Sequence, residues 1–229
     1  MSRVAEAIAA LEAQGEARIR DGLARYGIVT DERVIGVPMA AIQKVAQRFG
    51  RDHQLAADLW ETRIYEARLL TAFVDDPAVV TAGQMDRWAR DLDNWATCDT
   101  LCFKLFDRTA DAWTMVDRWA AANGEFVKRS AFALLASLAL HDKKSDDAPF
   151  LERLALIEAA ATDDRNFVKK GVSWALRGIG IRKNPALRAA ARDVAGRLAG
   201  SADRTARWIG KDAQRQFIKA DKTKASSLR

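Results

Sequence analysis

The sequence predicts an all-α protein, an α-solenoid of HEAT-like helical repeats with a concave face. Three observations carry this prediction. Strand signals are nearly absent, with no alternating β-branched runs and no Asn-Gly hairpin turns. The prolines, Pro38, Pro77, Pro149 and Pro185, sit in short connectors or at their edges, and helical periodicity is common between them. Two segments then match at a fixed offset: "FVKRSAFALLASL" from Phe126 and "FVKKGVSWALRGI" from Phe167, 41 residues on. A helical period of about 40–47 residues is that of HEAT and armadillo repeats, whose stacked helix pairs share one core.

Taken in order, "MSRVAEAIAALEAQ" is charged throughout and lacks the apolar centre of a signal peptide. Apolar positions at helical spacing follow in 59–73, 83–95, 101–121 and 150–161. "ETRIYEARLLTAF" (61–73) reads as a weaker third copy of the repeat, with Arg63 in the position of Arg129. Asp163 and Asp164 stand where a helix around Phe167 should begin. The expected organisation is a single repeat domain over 1–218, followed by a basic, frayed tail, "KADKTKASSLR".

Composition narrows the function classes. Half of the 229 residues are apolar and 30% are charged, which fits a soluble globular chain with ample length for a core. No apolar run reaches the roughly 18 residues that cross a bilayer. Two cysteines and no export signal make the cytoplasm the expected compartment. Cys98 and Cys102 are one helical turn apart, and neither His53 nor His141 lies near them in sequence, so they read as small core residues rather than metal ligands. No metal or other cofactor is expected. Charge is strongly polarised: residues 1–125 carry 15 Lys+Arg against 20 Asp+Glu, whereas 165–229 carry 17 against 4. That asymmetry points to a polyanionic partner for the C-terminal half.

Helical phase separates core from surface at about 100° per residue. In the helix from Phe167, Val168, Val172, Ala175, Leu176 and Ile179 make the core stripe. Trp174 falls on the opposite side, flanked by Lys170 and Arg177. It can pack on another element or act as a binding platform. In the preceding copy Arg129 is the counterpart of Lys170, so Arg129, Lys170, Trp174 and Arg177 are expected along one groove. In "DLDNWATCDTLC" (91–102), Asp93 or Asn94 can cap a helix starting near Trp95. Cys98, Leu101, Cys102, Leu105 and Thr109 then face inward, with Trp95 and Asp99 at the edge of that stripe. Geometry leaves two readings open for that pair: a core tryptophan with an ordinary surface carboxylate, or two groups reaching a groove.

Together, "NWATCD", "FVKRSAFAL" and "VKKGVSWALRGIGIRKNP" resemble the HEAT-repeat DNA alkylation repair glycosylases of the AlkD type, in order and over about residues 20–215. The resemblance implies an enzyme that hydrolyses the N-glycosidic bond of positively charged N-alkylated purines, 3-methyladenine and 7-methylguanine, in double-stranded DNA. It implies that Asp99 supports bond cleavage, that Trp95 and Trp174 line the cleft, and that Arg129 holds a phosphate. Tyr26, in "LARYGI", matches a cleft aromatic, and Lys169, Lys170 and Arg177 are further candidate phosphate contacts. A monomer bound to alkylated duplex DNA, away from membranes, is the expected state. Two features depart from the pattern: the apolar "VPM" at Val37, Pro38 and Met39, and a longer connector at 141–150. Two other readings remain: a non-catalytic HEAT-repeat protein that binds damaged or branched DNA, and a protein-interaction solenoid.

Overall fold

A computed structural model of the chain describes residues 2–143 and 146–226. It is helical throughout, and among the described residues no strand forms beyond an isolated bridge between Arg33 and Ile64. The chain divides into two compact units, Met1–Ala112 and Trp113–Arg229.

The first unit opens with α1 (Arg3–Glu12), the short α2 (Ala17–Arg20) and a 3-10 turn at Leu23–Tyr26. It continues with α3 (Met39–Phe49), α4 (His53–Glu61), α5 (Tyr65–Val74), α6 (Ala82–Arg90) and α7 (Trp95–Lys104). Side-chain caps set several starts: Ser2 accepts from the Ala5 amide at 3.2 Å, Asp52 from Leu55 at 2.9 Å and Thr81 from Gln84 at 3.2 Å. Helix α5 packs between α3 and α7, and the indoles of Trp60 on α4 and Trp88 on α6 stack at 4.5 Å. Buried carboxylates hold the irregular segment before α3. Glu66, 1% exposed, accepts backbone N–H groups from Ile35, Gly36 and Val37 at 2.9, 2.7 and 3.2 Å. The apolar "VPM" stretch is thus fixed through its backbone: Val37 is buried, and Met39, 39% exposed, opens α3.

The second unit contains α8 (Ala112–Ala120, starting at the boundary), α9 (Glu125–His141), α10 (Ala148–Ala159), α11 (Asn166–Gly180), α12 (Pro185–Ala199) and α13 (Arg204–Ser226). Helices α9, α11 and α13 form one layer, and α10 and α12 pack together as the other. The 41-residue repeat is physical: Phe126 and Phe167 open α9 and α11 with ring centroids 5.3 Å apart. The two helices approach closely through small residues. A Cβ on Gly171 would sit 3.4 Å from that of Phe132, and one on Gly178 would sit 3.3 Å from that of Ala139.

Four expectations change. Helix 59–73 is broken, because Arg63 adopts φ 51° between α4 and α5. Arg63 therefore precedes its helix, and the register proposed for the third copy fails. Segment 101–121 is likewise interrupted, by a 3-10 turn at Phe106–Arg108. The N-cap of α11 is Arg165, and Asp163 acts one step removed by accepting from the Arg165 amide at 3.3 Å. The expected tail is helical through Ser226 as the end of α13, with Asp221 accepting from Arg192 at 2.9 Å. Positions 144–145 of the connector and 227–229 of the tail lie outside the described residues.

Candidate nucleic-acid interface

The Trp95–Asp99 pair occupies the first turns of α7. Asn94, 1% exposed, caps the helix by accepting from the Thr97 amide at 3.0 Å. Cys98, Leu101, Cys102 and Leu105 are fully buried and fix the rotation of α7 about its axis. Trp95 and Asp99 stay half-buried at the edge of that stripe. Burial pushes the Cys102 thiol well up, which keeps it protonated and supports a packing role for the cysteines.

The preceding chain is tied to this helix start. Asp93 accepts from the Thr30 hydroxyl at 2.7 Å and the Asp31 amide at 3.0 Å. The Trp95 indole Nε1–H donates to the Tyr26 carbonyl at 3.1 Å. Tyr26 closes the 3-10 turn, and Gly27 follows at φ 70°, a conformation that costs a glycine little. The Tyr26 ring is 73% exposed, so its backbone orients Trp95 while its phenol points to solvent. Thr30, Asp93 and Asn94 are therefore part of the site's scaffold. Sequence reasoning offered Asp93 and Asn94 only as caps, and the 62- and 63-residue separations to Asp31 and Thr30 left no local signal.

On α11 the buried stripe is the expected one, with Val168, Val172, Ala175, Leu176 and Ile179 at 0% exposure. Lys170 is exposed and Trp174 half-buried on the other side. The remaining cations are partly engaged by α13. Lys169 Nζ lies 5.6 Å from the centre of the Trp208 ring. Arg177 Nε donates to the Ser173 carbonyl at 3.3 Å and lies 3.6 Å from Asp212 Oδ2.

Arg129 departs most from expectation. It is 6% exposed, and its Nη1 donates to the Phe167 carbonyl at 2.8 Å. The reason is the environment of α9: every residue from Arg129 to Ala139 is buried, so this helix has no open side there. Arg129 thus holds the first turn of α11 instead of projecting into an open groove. Elsewhere, among the described residues, no three His, Cys, Asp or Glu side chains cluster so as to hold a metal ion, and no helix is long and apolar enough to cross a membrane.

The family model of the DNA alkylation repair enzymes matches residues 7–217. The chain belongs to that family. No curated protein matches the sequence. A similar solved structure is described as belonging to a new family of proteins related to the HEAT-like repeat DNA glycosylases with affinity for branched DNA structures. It superposes with a TM-score of 0.76 at 18% identity, covering 93% of this chain and 95% of that one. The likeness establishes a HEAT-like repeat fold for this DNA alkylation repair protein, in keeping with the 41-residue period.

Proposed function

We propose that this protein is a monofunctional DNA glycosylase that removes positively charged N-alkylpurines from duplex DNA as a monomer. The observation that carries the reading is Asp99, half-buried one turn from half-buried Trp95, on a helix start fixed by Asn94, Asp93 and the Tyr26 carbonyl.

The chemistry asks little of the protein. An alkylated purine is already cationic and departs as a neutral base, leaving an oxocarbenium-like sugar, the transition state that glycosidases stabilise with carboxylates. An ionised Asp99 beside C1′ stabilises charge that appears only in the transition state, which raises the rate more than the affinity. The same carboxylate orients the attacking water. Trp95, one turn from Asp99, offers a π face to the cationic nucleotide, worth roughly 0.5–2 kcal/mol. Lys170 contacts phosphate directly, with Lys169 and Arg177 at the margin, so binding falls with salt. Arg129 serves as a positioning residue through its bond to the Phe167 carbonyl.

The test is release of 7-methylguanine from methylated duplex DNA without added metal. Asp99→Asn should lower the single-turnover rate about 100-fold or more, while Kd changes by less than about 3-fold. Unchanged excision removes Asp99 from the reaction. A second reading, branched-DNA binding without excision, is favoured by the description of the solved relative. Its signature is a shifted four-way junction with no base released by the wild-type protein.

A further inference from the structure

Helix α13 presents a second basic surface, whose cations take no part in the site above. Ala206, Ile209, Ala213 and Phe217, each at most 2% exposed, form its buried stripe. Arg204, Trp208, Lys211, Arg215 and Lys219 recur at spacings of three and four on the opposite side, and all are exposed. The stripe from Arg204 to Lys219 runs about 22 Å along the helix axis.

Both carboxylates of α13 are engaged by neighbouring helices. Asp212 accepts from Ser173 of α11 at 2.7 Å, and Asp221 accepts from Arg192 of α12 at 2.9 Å. Arg215 donates to Asp212 at 3.1 Å and remains 63% exposed. For Arg204, Lys211 and Lys219, no ion pair forms among the described residues. Trp208 seats the Lys169 ammonium and so joins the stripe to α11. Trp208 against Lys169, and Asp212 against Ser173 and Arg177, tie the edge of the stripe to the neighbouring edge of α11.

We infer that the outward face of α13 is a second track for the DNA backbone, extending the α11 contacts across one more helix. The inference rests on the DNA-binding part of the function proposed above and not on base excision. Charge complementarity selects the occupant. A row in which Lys211, Arg215 and Lys219 rise about 6 Å apart and Arg204 stands about 10 Å before them, with Asp212 at its edge the one acid it touches among the described residues, suits a strand that presents one phosphate per about 3.4 Å of axis. A membrane surface suits it less, because the apolar side of α13 is already buried and a membrane-lying helix needs that side free.

The test is a salt titration of binding by the full-length protein to an undamaged 24-base-pair duplex, read by fluorescence anisotropy. The variant Arg204→Gln/Lys211→Gln/Lys219→Gln should bind about 10-fold more weakly at 0.1 M salt. Its slope of log K against log salt should be shallower by about 2 to 3. A control with the same loss of charge, Arg18→Gln/Arg87→Gln/Arg90→Gln, changes exposed residues of the first unit and should match the wild type. Equal affinity and slope in the stripe variant overturn the inference, as does equal weakening in the control, which would trace the effect to net charge. Binding of the wild type, but not the stripe variant, to vesicles with 30% anionic lipid, with DNA affinity the same in both, assigns the face to membranes and also overturns it. Melting temperatures confirm that each variant is folded, and the Lys211→Gln/Lys219→Gln pair repeats the measurement at lower risk. A wild type that binds no DNA fails both readings, whereas a stripe variant that binds like the wild type fails this one alone.

Discussion

The two units solve the problem of holding helices together by different means. The first, with 14 Lys+Arg against 18 Asp+Glu, includes a long irregular segment between α2 and α3 and pins it with buried or half-buried carboxylates. Glu66 holds Ile35 to Val37, Asp93 holds Thr30 and Asp31, and Glu32 pairs with Arg68. The second, with 23 against 13, buries few charged groups, Arg129 among them, and brings helices together through small residues. The difference teaches where each unit is fragile. The first depends on carboxyl acceptors placed under backbone amides, the second on side-chain volume at a few points of close approach.

Steric insertion in the second unit should therefore have the largest effect. A Cβ on Gly210 would lie 2.2 Å from the Ala199 backbone nitrogen and 2.6 Å from the Ala195 carbonyl oxygen, atoms that move only if α12 shifts. Gly210→Ala should cost about 3 kcal/mol or more, read as a lowered urea midpoint. A smaller cost than for the carboxylate variant below would break the contrast.

In the first unit, Glu66→Gln keeps the shape but turns an amide N–H₂ toward backbone donors that need an acceptor. The expected loss is about 2 kcal/mol by the same denaturation, from removing charge-assisted bonds and leaving a buried amide unpaired.

Acid sharpens the comparison with the smallest effect. Hydrogen bonds from Arg165, and secondarily from Lys128, hold the Asp163 carboxyl down at about 2, against 3.8 ordinarily. A depressed folded pKa contributes stability that is fully present above about pH 4 and is lost as pH falls through 2. The wild type should exceed Asp163→Asn by about 1 kcal/mol at pH 5, after allowance for solvent screening, and by little at pH 2. Glu32 in the first unit runs the other way: burial raises its pKa, so protonation relieves a penalty carried by the charged form. Stability-against-pH curves measured with and without Glu32→Gln should diverge in the opposite sense to the Asp163 pair as pH falls.

Legibility followed the range of the interactions. Helical phase is local, so the core stripe of α11 and the edge position of Trp95 and Asp99 could be read directly, and the cap of α7 could be narrowed to Asp93 or Asn94. The Phe126–Phe167 repeat could be read because it compares the chain with itself. Arg129 could not. Its phase matches that of Lys170, yet it is buried while Lys170 is exposed, and phase describes a helix's own faces but not what surrounds them. Arg63 was hidden for another reason: a residue with φ 51° breaks a helix without any proline or glycine to announce it. The final helix was underread because its lysines suggested fraying, whereas Phe217, 2% exposed, anchors it.

The bond from the Trp95 indole to the Tyr26 carbonyl spans 69 residues, and those from Thr30 and Asp31 to Asp93 span 63 and 62. All three close within the first half of the chain. During synthesis, which proceeds from the N-terminus, the segment around Tyr26 must wait for α7 before it has a partner. Once α7 has left the ribosome, the mounting of Trp95 has all its parts, while α11 to α13 are still to be made. The same linkage means that a protease cut between Tyr26 and Thr30 would unseat Trp95 without touching α7.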